Sequence, residues 1–108
     1  MFINDWVYLD AAGGTITLEE NIHLAQRATV LTSIHSIGEQ PELRCGEPEA
    51  SSTTIGQGSW VGAGAIILPG ANVAPGCVIV AGAVVTRLTP PNGLYAVVPA
   101  RRIKDLPV

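Results

Sequence analysis

An aliphatic residue recurs at every sixth position through the second half of the chain. All six members of this series are β-branched: Ile55, Val61, Ile67, Val73, Ile79 and Val85. The residue four places after each of the first five is small, from Ser59 to Ala83. A weaker series of the same spacing, Leu18, Leu24 and Val30, lies upstream in a register shifted by one residue. We therefore expect an irregular insertion between the two series.

A period of six fits neither an amphipathic helix nor a long alternating strand. It is typical of β-helices, in which each hexapeptide forms one short strand and one corner, and three hexapeptides form a triangular coil. Strands of successive coils then stack about 4.8 Å apart. The aliphatic residue fills the interior, the small residue fits the corner, and glycine supplies the unusual corner dihedrals. The pattern predicts an all-β single domain over residues 1–108 with about four to five triangular coils.

The expected insertion covers residues 36–54 approximately. This stretch contains two prolines, Pro41 and Pro48, and four glutamates. Such a composition, outside the repeat, predicts a loop extruded from the coil. His35 comes directly before it. After the repeat, residues from about 87 to 108 form a short C-terminal segment.

Charge is divided unevenly along the chain. Residues 1–86 carry two basic residues against eight acidic ones, whereas residues 87–108 carry four basic residues against one acidic residue. A basic tail on an acidic body indicates a local anion site. Four cations are too few for a nucleic-acid footprint.

The remaining bulk features narrow the class of protein. Aromatic residues make up only 5% of the chain, so small side chains must pack in a regular way. No apolar run approaches the roughly 18 residues of a membrane span. The N-terminus lacks the pattern of a secretion signal, and two cysteines, Cys45 and Cys77, are no disulfide framework. A cytoplasmic location is expected.

The repeat has a specific family resemblance. The stretch "IGQGSWVGAGAIILPGANVAPGCVIVAGAVVT" resembles the left-handed parallel β-helix of the hexapeptide-repeat acyltransferases. Together with "ITLEENIHLAQRATVLTSIHS" and "PARRIKDL", it is most similar to the branch of galactoside, maltose, xenobiotic and polysaccharide O-acetyltransferases. The resemblance implies acetyl transfer from acetyl-CoA to a hydroxyl or amine of a small molecule or sugar. It also implies the left hand of the coil, an absence of metal, and a homotrimer with active sites between subunits.

The resemblance implies a catalytic role for His35. The family has its catalytic histidine after an "LT" and before an extended loop, which is where His35 lies. Imidazole titrates near neutral pH and can take a proton from an attacking hydroxyl. His23, two hexapeptides earlier, is expected at the surface of another face. Neither Cys45 nor Cys77 has the sequence context of a nucleophile.

Further site residues follow from the same resemblance. The backbone N–H of Ala63 corresponds to the donor to the thioester oxygen, and Trp60 to an active-site tryptophan. The backbone of Ala81 corresponds to a contact with the pantetheine arm. Four further residues match family positions near the nucleotide and phosphates of the cofactor: Thr86, Arg87, Arg101 and Lys104. Asp10 is the candidate for acceptor binding.

Two departures from the family leave an alternative open. Val97 stands where the family has a glycine, and its side chain is expected to crowd the adenine. The chain also starts almost inside the solenoid, with residues 1–6 expected to cover part of the first edge. These features keep open a non-catalytic solenoid that binds a ligand or scaffolds an assembly. A γ-type carbonic anhydrase is disfavoured, because its zinc site needs three histidines and the chain has only His23 and His35.

Overall fold

The computed structural model describes all residues, 1–108, as a parallel β-helix with three walls. Wall 1 contains β1 (Phe2–Ile3), β4 (His23–Leu24), β9 (Trp60–Val61), β12 (Val78–Ile79), β14 (Gly93–Ala96) and β15 (Arg101–Asp105). Wall 2 contains β2 (Tyr8–Asp10), β5 (Thr29–Leu31), β10 (Ile66–Ile67) and β13 (Val84–Val85). Wall 3 contains β3 (Ile16–Leu18), β8 (Thr53–Ile55) and β11 (Asn72–Val73). The predicted all-β coil is confirmed.

The strands follow the walls in strict rotation, which defines the coils. Coil 1 contains β1, β2 and β3; coil 2 contains β4, β5 and β8; coil 3 contains β9, β10 and β11. Coil 4 contains β12, β13 and Thr89, which bridges to Val73 on wall 3, and β14 begins a fifth. This agrees with the predicted four to five coils. The fold has no helix that is long and apolar enough to cross a membrane.

Each regular corner consists of four residues, and the third and fourth positions have the same features in every corner. The third residue has a positive φ, as at Gly64 (68°) and Gly82 (76°) in the corner between walls 1 and 2. The fourth is small and buried, as at Ala65 and Ala83. The interior aliphatic residues from Val30 to Val85 are all at most 1% exposed. The sixfold pattern therefore reports one buried strand residue and one corner per hexapeptide.

The insertion after β5 is a β-hairpin rather than an irregular loop. Its strands are β6 (Ser33–Ile37) and β7 (Cys45–Ala50), paired antiparallel. The excursion thus spans 33–50, whereas the sequence suggested about 36–54, because Thr53 already pairs with Ile16 on wall 3. His35 lies inside β6, opposite Pro48. The hairpin leaves the coil at the corner between walls 2 and 3.

The two ends of the coil differ. At the C-terminal end, β15 folds back antiparallel to β14, and Tyr95 of β14 is buried. The segment between them crosses wall 2, because Val84 N–H donates to Val97 O and Ala100 N–H donates to Val84 O. At the N-terminal end, the inward-facing Ile3 remains 45% exposed. Residues 1–6 form a strand and a corner of coil 1 itself.

Candidate functional site

A cavity of about 470 Å³ lies on wall 1 and its corner with wall 2. We call it the wall-1 cavity; it is mostly apolar and is lined by Ala25, Gln26, Trp60, Gly62, Ala63, Val78, Ile79, Val80, Ala81 and Leu94. Trp60 is 52% exposed and pairs with Val78 across the wall. The fold therefore brings three of the sequence-derived candidates, Trp60, Ala63 and Ala81, to one concave surface.

Backbone donors at this corner line the wall-1 cavity. The second corner residue is proline at Pro69 and Pro75, which have no N–H. At Gln57 the N–H donates to the Glu19 carboxylate at 2.9 Å. At Ala63 and Ala81 the N–H makes no hydrogen bond within the chain. The wall-1 cavity thus offers main-chain donors that the chain leaves free for a ligand.

A second cavity, of about 600 Å³, lies at the C-terminal end of the coil. We call it the end cavity; its lining is Val85, Thr86, Arg87, Leu88, Thr89, Tyr95, Val97, Val98, Pro99, Ala100 and Arg101. Two of these residues, Arg87 and Arg101, are exposed cations with no ion-pair partner in the chain. Guanidinium groups bind phosphate oxygens through paired donors. The end cavity is therefore suited to an anion.

Val97 has an unusual backbone in the end cavity. Its φ is 70°, in the left-handed region that β-branched residues rarely adopt. Its carbonyl accepts the Val84 N–H at 3.2 Å, which holds this conformation. A glycine in this place would relieve the strain. The expectation that Val97 crowds a nucleotide stays a prediction.

The guanidinium of Arg102 makes its hydrogen bonds and its ion pair within the chain. Its Nε donates to Asp105 at 2.8 Å, and its Nη1 donates to the Tyr95 hydroxyl at 2.8 Å. The guanidinium also donates to the carbonyl oxygens of Pro90, Pro91 and Asn92. The hydrogen bonds to Asp105 and then Tyr95 raise the pKa of Arg102 above its ordinary value. Arg102 therefore fastens β15 to the last corner rather than facing a ligand.

Lys104 is separated from the other cations. It lies in β15 opposite Leu94, which lines the wall-1 cavity. Arg101 instead lines the end cavity. Residues facing each other across an antiparallel pair project from the same side of the sheet. Lys104 is thus placed at the edge of the wall-1 cavity.

His35 is held by a main-chain contact. Its Nδ1 lies 2.8 Å from the carbonyl oxygen of Gly46 in β7. Because a carbonyl only accepts, Nδ1 carries the proton, and Nε2 of the neutral ring is the free basic nitrogen. His35 is exposed and lines neither cavity. One chain by itself does not bring His35 to Ala63.

Asp10 lies at the same corner as the hairpin, one coil earlier. Its carboxylate accepts the Ala12 N–H at 2.9 Å, and the following Gly13 N–H donates to Thr32 Oγ1 at 3.0 Å. A Cβ on Gly13 would lie 2.8 Å from that of Ser33, so this turn packs under the root of the hairpin. Asp10 therefore shares an edge of the prism with His35.

His23 occupies wall 1 instead. Its ring stacks on Phe2 with centroids 4.8 Å apart and meets the edge of Trp60 at 6.4 Å. This stacking leaves His23 half-buried, whereas the sequence suggested a surface position. No group of three or more His, Cys, Asp or Glu side chains is arranged to hold a metal ion.

Sequence reasoning missed Gln26 as a candidate. It is the second residue of its corner, like Ala63 and Ala81, and it lines the wall-1 cavity. Its N–H makes no hydrogen bond within the chain. Alignment of the upstream repeat with the downstream one would have identified it, since Leu24 corresponds to Val61 and Gln26 to Ala63.

Comparison with known proteins agrees with this architecture. Residues 52–87 match the family model described as bacterial transferase hexapeptide (six repeats). This match and the structural neighbours confirm the hexapeptide-repeat resemblance and the left-handed parallel β-helix. A search of curated protein sequences returns no significant match.

Solved structures cover nearly the whole chain. A maltose O-acetyltransferase from Clostridium difficile 630 is 29% identical over 98% of this chain and 59% of its own, with a TM-score of 0.75. A galactoside acetyltransferase in complex with coenzyme A is 28% identical over 98% of this chain and 64% of its own, with a TM-score of 0.81. A hexapeptide-repeat acetyltransferase from Vibrio cholerae O1 biovar eltor, complexed with acetyl coenzyme A, is 24% identical over 99% of this chain and 57% of its own, with a TM-score of 0.86. The chain thus spans about three fifths of the length of these proteins.

Proposed function

We propose that this chain, a hexapeptide-repeat protein with a left-handed parallel β-helix, is an acyl-CoA-dependent acetyltransferase. It transfers an acetyl group from acetyl-CoA to a hydroxyl or amine of a small molecule or sugar. The observation that carries the proposal is the pair of free main-chain donors, Ala63 N–H and Ala81 N–H, in one apolar cavity. Structural neighbours described as acetyltransferases, one of them in complex with coenzyme A, support it.

The two cavities suit the two ends of the donor. The pantetheine arm is a slender chain with amides, so the apolar wall-1 cavity takes its methylene groups while the Ala81 N–H pairs with an amide oxygen. The nucleotide end is anionic and suits the end cavity, where Thr86, Arg87 and Arg101 face its phosphates. Lys104 adds a positive charge near Leu94.

His35 acts as the general base in this proposal. The acceptor O–H or N–H approaches the thioester carbonyl carbon, and Nε2 of His35 takes its proton as the new C–O or C–N bond forms. The Ala63 N–H donates to the oxyanion, a contribution of about 3 kcal/mol. The C–S bond then breaks, and the His35 imidazolium returns the proton to the thiolate. The products are the acetylated acceptor and CoA thiol, with no covalent enzyme intermediate.

A second copy of the chain completes the site. His35, at the corner of walls 2 and 3 in coil 2, and Arg87, at that corner in coil 4, lie along one edge of the prism. Ala63 in coil 3 and Ala81 in coil 4 lie along the edge between walls 1 and 2. If a threefold axis runs parallel to the prism, the first edge of one chain faces the second edge of its neighbour with coils at matching levels. His35 then lies toward the Ala63 end of the neighbour's edge, where the thioester is proposed, and Arg87 lies toward the Ala81 end, from which the donor continues to its nucleotide.

Acceptor binding belongs to the same shared groove. Asp10 lies one coil before His35 on its edge, and its carboxylate accepts hydrogen bonds from hydroxyl or amine groups. Trp60 of the neighbouring chain offers a half-exposed aromatic face. The homotrimer that the family resemblance implies would bring His35 of one chain to the wall-1 cavity of its neighbour, which one chain by itself does not do.

Two substitutions test the proposed roles. His35→Ala is expected to lower turnover by about 10²–10⁴-fold while the Kd of CoA stays within about twofold. Ala63→Pro removes only a main-chain donor, because proline already occupies the same corner position at Pro69 and Pro75. It should lower kcat by about 10²–10³-fold. Ala63→Ser, which keeps the N–H, is the control, and thiol release from acetyl-CoA is the measurement.

Mixing the two inactive variants tests the shared site. Co-expressed His35→Ala and Ala63→Pro chains form some interfaces in which an intact His35 edge faces an intact Ala63 edge, so roughly a quarter of wild-type activity returns. Sites contained within one chain would stay inactive in every mixture. Failure of the wild-type protein to bind CoA would instead favour the non-catalytic solenoid.

A further inference from the structure

The hairpin that carries His35 is hydrogen bonded to the coil only at its two ends. Its strands β6 and β7 pair with each other, and no hydrogen bond joins residues 33–50 to the three walls. At the base of the hairpin, Ser51 N–H donates to Thr32 O at 2.9 Å. The position of His35 therefore depends on how residues 32 and 51–53 are held.

A buried threonine lies at each end of the hairpin. Thr32 directly precedes β6 and is 0% exposed, and Thr53 begins β8, three residues after β7, and is 1% exposed. Thr32 Oγ1 donates to Asp10 O at 2.7 Å and accepts the Gly13 N–H at 3.0 Å. This hydroxyl thus fastens the start of the hairpin to the corner of coil 1.

Thr53 makes the same pair of contacts with other coils. Its Oγ1 donates to Leu31 O at 2.8 Å and accepts the Gly70 N–H at 3.2 Å. Leu31 ends β5 in coil 2, and Gly70 lies in the same corner of coil 3. Because each hydroxyl both donates and accepts, displacement of either threonine breaks two hydrogen bonds at a buried position. The base of the hairpin is therefore fixed to coils 1, 2 and 3.

We propose that Thr32 and Thr53 are positioning residues for His35, a role that rests on the proposed function of His35 as the general base. Their hydroxyl groups hold the base of the hairpin, and the pairing of β6 with β7 carries that position to the imidazole. Neither threonine lines a cavity. Displacement of a catalytic group by about 1 Å costs about 10²-fold in rate.

Ser59 provides a matched control within the chain. It is 0% exposed, and its Oγ donates to Ala74 O at 3.1 Å and accepts the Cys77 N–H at 3.1 Å. This is the bonding pattern of Thr32 and Thr53, but Ser59 lies at the corner between walls 3 and 1, on another edge of the prism. Loss of its hydroxyl removes equivalent buried hydrogen bonds and leaves the base of the hairpin intact.

NMR on the free protein measures how firmly the hairpin base is held. A Cβ on Gly13 would lie 2.9 Å from the Cβ of Ala50, so the Gly13 Hα protons should give a strong NOE to the Ala50 methyl group. In Thr32→Val and Thr53→Val this NOE should weaken, and the Ser51 amide should exchange with solvent about tenfold faster.

Turnover measures the consequence for His35. In thiol release from acetyl-CoA with methyl glucoside as the probe acceptor, Thr32→Val and Thr53→Val should lower kcat about 10–100-fold, with KM for acetyl-CoA within about twofold. Thr32→Ser keeps the hydroxyl and should restore kcat. Ser59→Ala should lower the urea midpoint as much as the valine variants do, while kcat and Ser51 exchange stay at wild-type values.

Gly13→Ala displaces the same base without removing a hydroxyl, because the added methyl group would collide with Ser33 and Ala50. It should also lower kcat, and it carries the test where a valine variant does not fold. Unchanged NOE and exchange in folded valine variants overturn the proposal, as does an equal loss of kcat in Ser59→Ala. The NMR signals need neither donor nor acceptor. A wild-type protein that binds no CoA therefore refutes the proposed function, while these signals still decide whether the threonines hold the hairpin.

Discussion

Coil 1 and coil 3 follow one plan but bury their interiors to different extents. Leu9 and Ile67 lie in the same interior column of wall 2, separated by Val30. Ile67 is 0% exposed, whereas Leu9 is 39% exposed. A repeat position therefore does not bury a side chain by itself. Burial requires a coil stacked on each side, which coil 3 has and coil 1 lacks.

The corner residues also differ between the first two coils and the later ones. Between walls 1 and 2, the third corner residue has positive φ in four successive coils, at Trp6, Arg27, Gly64 and Gly82. Coils 3 and 4 use glycine, which adopts this conformation without strain, whereas coils 1 and 2 do not. The left-handed conformation costs other residues about 1–2 kcal/mol. The sixfold repeat is thus clearest in coils 3 and 4, where the interior residues are buried and the corner residues adopt a positive φ without strain.

Truncation of an interior side chain should have the largest effect on stability, and the loss should differ between coil 3 and coil 1. Ile67→Ala should lower the free energy of unfolding by about 2–5 kcal/mol, because it leaves a cavity among residues that cannot close around it. Leu9→Ala should cost clearly less, because solvent already reaches that side chain. Urea denaturation at a fixed protein concentration measures both. Equal losses would show that coil 1 is covered in solution.

Replacement of a corner glycine in coil 3 should change stability by an intermediate amount, through the backbone alone. A Cβ on Gly64 would meet no atom within 4 Å, so Gly64→Ala introduces no clash. Its φ of 68° should nevertheless make the alanine variant less stable by about 1–2 kcal/mol. The same denaturation series measures the change. An unchanged midpoint would mean that this corner relaxes to a negative φ.

The smallest effect has the opposite sign and concerns coil 2. Arg27→Gly relieves about 1–2 kcal/mol of strain in the left-handed backbone conformation. It also costs about 0.5–1 kcal/mol, because glycine loses more conformational entropy on folding. We expect a net gain of about 0.5–1 kcal/mol in the free energy of unfolding. Arg27→Asn, which tolerates the same φ, should lie between the glycine variant and the native chain. Destabilisation by both would reveal a stabilising contact of the arginine side chain.

More of the fold than of the candidate site was predictable from the amino-acid sequence. The spacing from Ile55 to Val85 was enough for the walls, because each hexapeptide interacts mainly with the hexapeptide one coil away. It was not enough for the hairpin, since antiparallel pairing of β6 with β7 depends on how the excursion closes over the corner. It also did not separate Arg101, which lines the end cavity, from Lys104, which the antiparallel return of β15 places opposite Leu94.

The amino-acid sequence by itself determined a three-walled parallel coil, its aliphatic interior and its glycine corners, because these follow from a period that each hexapeptide satisfies locally. The tertiary structure decided which of the equivalent corners became a binding surface. Only the stacking of coils shows that Gln26, Ala63 and Ala81 share one cavity with unpaired N–H groups. Only the path of the hairpin sets His35 on another edge, since the distance between edges depends on how the chain turns in space and not on its spacing in sequence.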